Sequence, residues 1–151
     1  NTYEGDIPKD AGTEITAPLE NTEYTSMEEA LAAYGITEKV VPTKFPENLA
    51  VAAIDVSKSE HGNFVKFCAV YQGGDHYLIL QIRQISDANT ESFEKDSYDV
   101  TEYVKDGIRH YFYTNMGSNC VTWFTDNLEC VIDTDLSAEI LEDIVESIYE
   151  R

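Results

Sequence analysis

Three histidines and three cysteines are the side chains of this chain best suited to acid–base, nucleophilic or metal chemistry. His61 falls in a turn, His76 at the start of an alternating run and His110 within another. No pair of them has a spacing that by itself builds a metal site. Cys68, Cys120 and Cys130 form no Cys-x-x-Cys or Cys/His grouping, and are too few and too far apart for a disulfide scaffold. They read as buried thiols, with a Cys120–Cys130 bridge across a hairpin as the alternative that strand register decides. Cys68 with a distant histidine is a formal nucleophile pair, but nothing local supports it.

Asp133-Thr134-Asp135-Leu136-Ser137-Ala138-Glu139 places oxygens at alternate positions, as the front of a calcium loop does. The glycine needed for the sharp turn is missing, and Ile144 stands where the loop's closing Glu belongs. A strand exit followed by a capped helix, with acids near its positive end, accounts for the same residues. Paired carboxylates for glycoside hydrolysis are a matter of separation, which the number of acids does not reveal. Neither a catalytic residue, a metal ligand nor a cofactor is therefore assigned. The aromatic set is more suggestive. Tyr71, Tyr77, Tyr111, Tyr113 and Trp123 fall on neighbouring strand-like runs, and alternation puts Tyr111 and Tyr113 on one face. On an uncovered face such rings grip a sugar or a peptide, which makes Tyr111, Tyr113 and Trp123 the candidate ligand-binding residues. Under a helix they are core.

The elements that position these residues follow from punctuation and period. Residues 1–25 carry turn formers and acids without apolar periodicity and read as a flexible acidic linker or stalk, leaving residues 26–151 as a single domain. Ser26 three residues before Glu29 is a capping-box pattern for a helix over Met27–Tyr34 that stops at Gly35, with Met27, Leu31 and Tyr34 on one face. After the extended segment Pro42–Pro46 the period changes to two. Strands are expected over 49–57, 64–72 and 76–85, then over 98–104, 108–113, 120–124 and 128–133, with a polar loop at 87–97. Ser137 caps a last helix whose stripe is Ile140, Leu141, Ile144, Val145 and Ile148. The fold class is α+β, a twisted antiparallel sheet of six or seven strands with the N-terminal and C-terminal helices packed on one face.

The 151 residues include 29 acids against 10 Lys plus Arg, a formal net charge of −19. A polyanion of this strength repels phosphate backbones and anionic headgroups, which argues against nucleic acid and electrostatic membrane docking. The longest apolar run, Leu49–Ile54, is far short of the ~20 residues of a membrane-spanning helix, so direct insertion by this chain is not expected. The chain opens at Asn1 without an initiator Met, which leaves room for a signal peptide or anchor upstream.

Tyr111-Phe112-Tyr113, Val121-Thr122-Trp123, the turn at Asp126-Asn127, Cys130-Val131-Ile132 and the run Leu136–Leu141 followed by Ile144–Ile148 form a pattern. With the upstream Val41-Pro42-Thr43-Lys44-Phe45-Pro46-Glu47, it resembles a bacterial domain family of unknown function found at the extracytoplasmic C-termini of Gram-positive anti-sigma factors and related envelope proteins. The resemblance covers about residues 40 to 150, and Cys130 departs from it where the family commonly has an aromatic. It carries over no catalytic residue. It implies a site outside the cytoplasmic membrane, tethered through a segment upstream of Asn1, and a non-enzymatic sensing or interaction role toward a protein or small ligand. The alternative is a secreted or lipid-anchored domain that binds glycan or peptide without signalling.

Overall fold

The computed structural model describes residues 24–46, 48–58, 65–85 and 100–150. The acidic stretch 1–23, the turn containing His61, and residues 86–99 lie outside the described residues, so the stalk and the polar loop are not addressed by it. Helix α1 spans Met27–Ala33, and seven strands follow: β1 Ala50–Lys58, β2 Val65–Gly73, β3 His76–Gln84, β4 Thr101–Lys105, β5 Ile108–Asn115, β6 Ser118–Phe124 and β7 Leu128–Thr134. Helix α2, Ala138–Glu146, closes the chain with a 3-10 turn over Ser147–Tyr149.

The strands form one antiparallel sheet in the order β1-β2-β3-β7-β6-β5-β4. Two meanders, β1–β3 and β4–β7, join through the β3–β7 pair at the centre, leaving β1 and β4 as edges. Tight turns set the hairpins. Asp106-Gly107 and Met116-Gly117 both place two consecutive residues at positive φ, the geometry that matches strand twist in a two-residue connection. Gly73 is required for another reason: a Cβ there would collide with the Asn48 backbone, so the approach to β1 passes directly over the end of β2.

Alternation along the strands buries one face. Phe67, Ile82, Cys130, Trp123 and His110 stand opposite one another across five strands, flanked by a row of Ala69, Leu80, Ile132, Val121 and Phe112. Both helices lie on this face. From α1, Met27, Ala30 and Leu31 are buried, and Tyr34 meets Phe67 edge-on at 5.4 Å. From α2, Leu141, Ile144 and Val145 are buried, followed by Ile148. Ile140, expected in the same stripe, is instead 37% exposed, and the rest of the first turn of α2 is exposed with it. The architecture is mostly sheet, with a short helix at each end of the described chain, and belongs to the α+β class.

The helix caps form as their residues dictate, with one change. Ser26 Oγ accepts from Glu29 N at 3.0 Å, but Glu29 reaches back one residue further than a capping box requires, accepting from Thr25 N at 2.7 Å. The bonds it accepts from Thr25 N and Thr25 Oγ1 hold the Glu29 carboxyl below its ordinary pKa. Gly35, at φ 78°, ends α1 as expected, and Ser137 Oγ accepts from Ile140 N at 3.2 Å to start α2.

Candidate functional site

The sheet register separates the three aromatic candidates. Trp123 stands opposite Cys130 and His110 on the helix-covered face and is fully buried, so it belongs to the core rather than to a ligand surface. Tyr111 stands opposite Thr122 and Tyr113 opposite Cys120, on the face away from both helices. The physical reason is parity: Trp123 and Thr122 are adjacent on one strand and must point to opposite faces. Tyr71 likewise lies on the helix side, buried and stacked on Phe45 at 4.4 Å.

The face opposite the helices is organised in rows across the strands. One row runs Val70, Ile79, Asp133, Cys120 and Tyr113; the next runs Cys68, Gln81, Val131, Thr122, Tyr111 and Glu102. Cross-strand neighbours sit roughly 5 Å apart, so the two tyrosine rings have threonine, cysteine and valine side chains beside them. Tyr113 Oη is 2.9 Å from Thr122 Oγ1, and Tyr77 Oη is 2.7 Å from Ser118 Oγ and donates to Asp133 Oδ1 at 3.3 Å. Tyr77, already in the aromatic set, shares this face, whereas Val70, Ile79, Val131 and Phe124 on it lie outside that set. Their signal in the sequence is that β2 and β3 read as near-continuous apolar runs instead of strictly alternating ones, which marks a second face that is also partly apolar. At the end of the sheet, a groove of about 1190 Å³ is lined by Tyr111, Phe124, Tyr149 and the turns at Asp106-Gly107 and Thr125–Asn127.

The other candidates for chemistry are held in structural roles. His76 Nδ1 lies 3.2 Å from Asp135 Oδ2, while Asp135 Oδ1 accepts from Tyr77 N at 3.0 Å, a bond that keeps this carboxyl below its ordinary pKa. Asp133 and Asp135 thus brace β3 against the β7 exit, while Ser137 caps α2. His110 is buried between the Tyr103 carbonyl and the Tyr149 hydroxyl. All three cysteines are free. The bridge alternative fails on register, because Cys120 pairs with Asp133 and Cys130 with Trp123, on opposite faces of the sheet. Burial pushes every thiol away from the thiolate: Cys68 upward, Cys120 up to about 11 and Cys130 well above its ordinary value. Among the described residues, no three His, Cys, Asp or Glu side chains converge as a metal cluster, and no helix is long and apolar enough to cross a membrane.

Searches of curated proteins and of solved structures find no match to this chain. A family model does match residues 39–148, which take in the whole sheet and α2. The chain therefore belongs to the family described as domain of unknown function DUF4367.

Proposed function

We propose that this domain is a non-enzymatic sensing or protein-interaction module that works outside the cytoplasmic membrane as the outer part of a membrane-tethered regulator, such as an anti-sigma factor, and that it recognises its partner with the sheet face opposite the helices. The observation that carries the reading is that Tyr111 and Tyr113 share this face with Tyr77, while Tyr111 also lines the groove at its end. Aromatic side chains with polar tips, set among small and apolar neighbours on a sheet, suit recognition better than bond-making chemistry. The histidines and thiols add support, since His76 and His110 serve hydrogen bonds within the fold and burial favours the protonated form of each thiol.

Location and recognition are tested separately. In a Cys68→Ser background, Met116→Cys puts a thiol on a hairpin tip that is 95% exposed. A membrane-impermeant maleimide labels it in intact cells if the domain lies outside, and only after lysis if it does not. For recognition, amide shifts of the purified domain are followed during titration with peptides and oligosaccharides. Shifts clustered on Tyr77, Val131, Tyr111 and Tyr113, and lost in Tyr111→Ala/Tyr113→Ala with the fold intact, support the surface. If that double variant unfolds, the rings are core and the recognition surface is elsewhere. A hydrolytic activity lost on changing one acid or Cys68 overturns the non-enzymatic reading.

The same tyrosines favour a second reading, a secreted or lipid-anchored surface domain that binds glycan or peptide without signalling. It differs in one outcome: the double variant then abolishes ligand binding but leaves transcription controlled by any partner sigma factor unchanged.

A further inference from the structure

His110 is fully buried, and three elements meet at its imidazole. The Tyr103 carbonyl of edge strand β4 lies 3.3 Å from Nδ1, and the Tyr149 hydroxyl of the closing 3-10 turn lies 2.7 Å from Nε2. Trp123 of β6 packs beside the ring at 5.4 Å between centroids. A carbonyl only accepts, so Nδ1 carries the proton of the neutral ring. Nε2 then presents its lone pair, and Tyr149 donates to it. The neutral form is satisfied at both nitrogens. A second tie runs parallel to it, since Tyr103 Oη donates to Glu146 Oε2 of α2 at 2.9 Å.

The charged and titratable groups around this cluster are few. From β4 comes the Tyr103 phenol, from β7 the Cys130 thiol opposite Trp123, from the β4–β5 turn Asp106, whose charge is felt at Tyr149, and from the segment after α1 Glu38, whose charge is felt at Cys130. Glu38, Lys39 and Arg109 line the groove that Tyr149 borders. Glu146 and Glu142 of α2 act on the Tyr103 hydroxyl rather than on the imidazole. Glu102 stands opposite Tyr111 and so belongs to the other face. Among the described residues no carboxylate bonds the His110 ring, so a charge on it has no counter-ion in contact.

We infer that His110 is an acid-operated latch, which in its neutral form ties the C-terminal turn to the sheet through Tyr149 and on protonation releases that turn, while the Nδ1–H bond to the Tyr103 carbonyl of β4 persists. Protonation puts a second N–H at Nε2, pointing at the tyrosine oxygen. Tyr149 must then turn its own proton away from its partner, and the buried ring carries an unpaired charge. Burial holds the pKa of His110 below its ordinary value of 6.5. A released state with an ordinary pKa takes up the proton first, so the latch is complete above about pH 6.5 and weakens as pH falls below it. The latch rests on the fold alone and stands independently of the domain's location or partner.

Trp123 is the only tryptophan in the chain and reports on the ring beside it. Its fluorescence and the amide shifts of Tyr103 and Ile148–Glu150 are followed from pH 8 to pH 4, with far-UV circular dichroism as a check on the fold. The expected result is a transition with its midpoint below 6.5 at unchanged circular dichroism, seen by both probes and absent in His110→Gln. Tyr149→Phe removes the donor that favours the neutral ring, so its midpoint moves upward by about half a pH unit or more. The inference is overturned if no transition precedes global unfolding or if His110→Gln retains it. Should His110→Gln fail to fold, an unmoved midpoint in Tyr149→Phe overturns it equally.

Discussion

Cys68, Cys120 and Cys130 illustrate how one residue type takes different roles within a single sheet. Cys68 is half-buried on the face away from the helices, Cys120 is buried on that same face and Cys130 is buried beneath the helices. Native protein should therefore modify at Cys68 alone on short exposure to a maleimide, and at all three thiols after denaturation without reductant; mass spectrometry counts the adducts. Met116 is a residue in an unfavourable conformation, at φ 53° on a hairpin tip where Asn is preferred. Met116→Asn is expected to raise stability by about 0.5–1 kcal/mol in urea unfolding. Gly73 is the opposite case. Gly73→Ala drives a methyl into the Asn48 backbone, which cannot swing aside as a flexible side chain does, and should cost at least about 2 kcal/mol by the same measurement.

At the scale of elements, the closing turn is the joint that holds the helix layer together. Ser147 Oγ accepts from Thr43 N at 2.9 Å and Lys44 N at 3.1 Å and donates to Ile144 O, while Thr43 Oγ1 donates to the Ser147 carbonyl at 2.7 Å. One buried hydroxyl thus fastens the extended segment before β1 to the end of α2. Ser147→Ala leaves two backbone donors without their acceptor and should cost about 1–3 kcal/mol, with amide exchange accelerating first at Thr43 and Lys44. A second brace comes from Glu38 Oε2, which accepts from Thr125 Oγ1 at 2.9 Å and so ties the segment after α1 to the β6–β7 turn. Edge strand β4 is more weakly held. Of its five residues only Tyr103 is half-buried, and its hydroxyl bond to Glu146 raises the phenol above its ordinary pKa. Tyr103→Phe should accordingly loosen β4 before any other strand, visible as local exchange at Thr101–Lys105.

For the whole molecule, the net charge of −19 is the dominant electrostatic fact. The described Lys and Arg ion pairs, Lys44–Glu150, Arg83–Glu129 and Arg109–Glu102, engage only a few of the acids and lie largely at the surface. Self-repulsion among the remaining carboxylates should weaken the compact state at low ionic strength. Raising salt from about 10 to 200 mM, where the Debye length contracts from roughly 30 Å to below 10 Å, is expected to raise the thermal midpoint. A fall instead would mean that these pairs contribute more than repulsion removes.

Local chemistry is legible in this sequence wherever a backbone demand has one good answer. Ser26 and Ser137 cap helices, Gly35 ends one, and glycine at 107 and 117 closes hairpins, because each satisfies a donor or a positive φ within a few residues of itself. Six or seven strands, two helices and the α+β class follow from period and punctuation in the same way, and the structure has seven strands. Strand order, face and depth are decided elsewhere. Nothing near Leu78 or Ile132 in the chain says that β3 pairs with β7; that pairing follows from burying the apolar faces of two meanders under one helix layer. The parity of β6 sends Trp123 beneath α2 and leaves Thr122 beside Tyr111, dividing a set of aromatics that the sequence presents together. It also parts Cys120 from Cys130. The sequence by itself determined the elements, the acidic character and the family pattern, because these depend on neighbours in the chain. Only the tertiary structure decided which tyrosines share a surface and that His110, Tyr149 and Tyr103 meet, because register and burial depend on residues far apart in the chain.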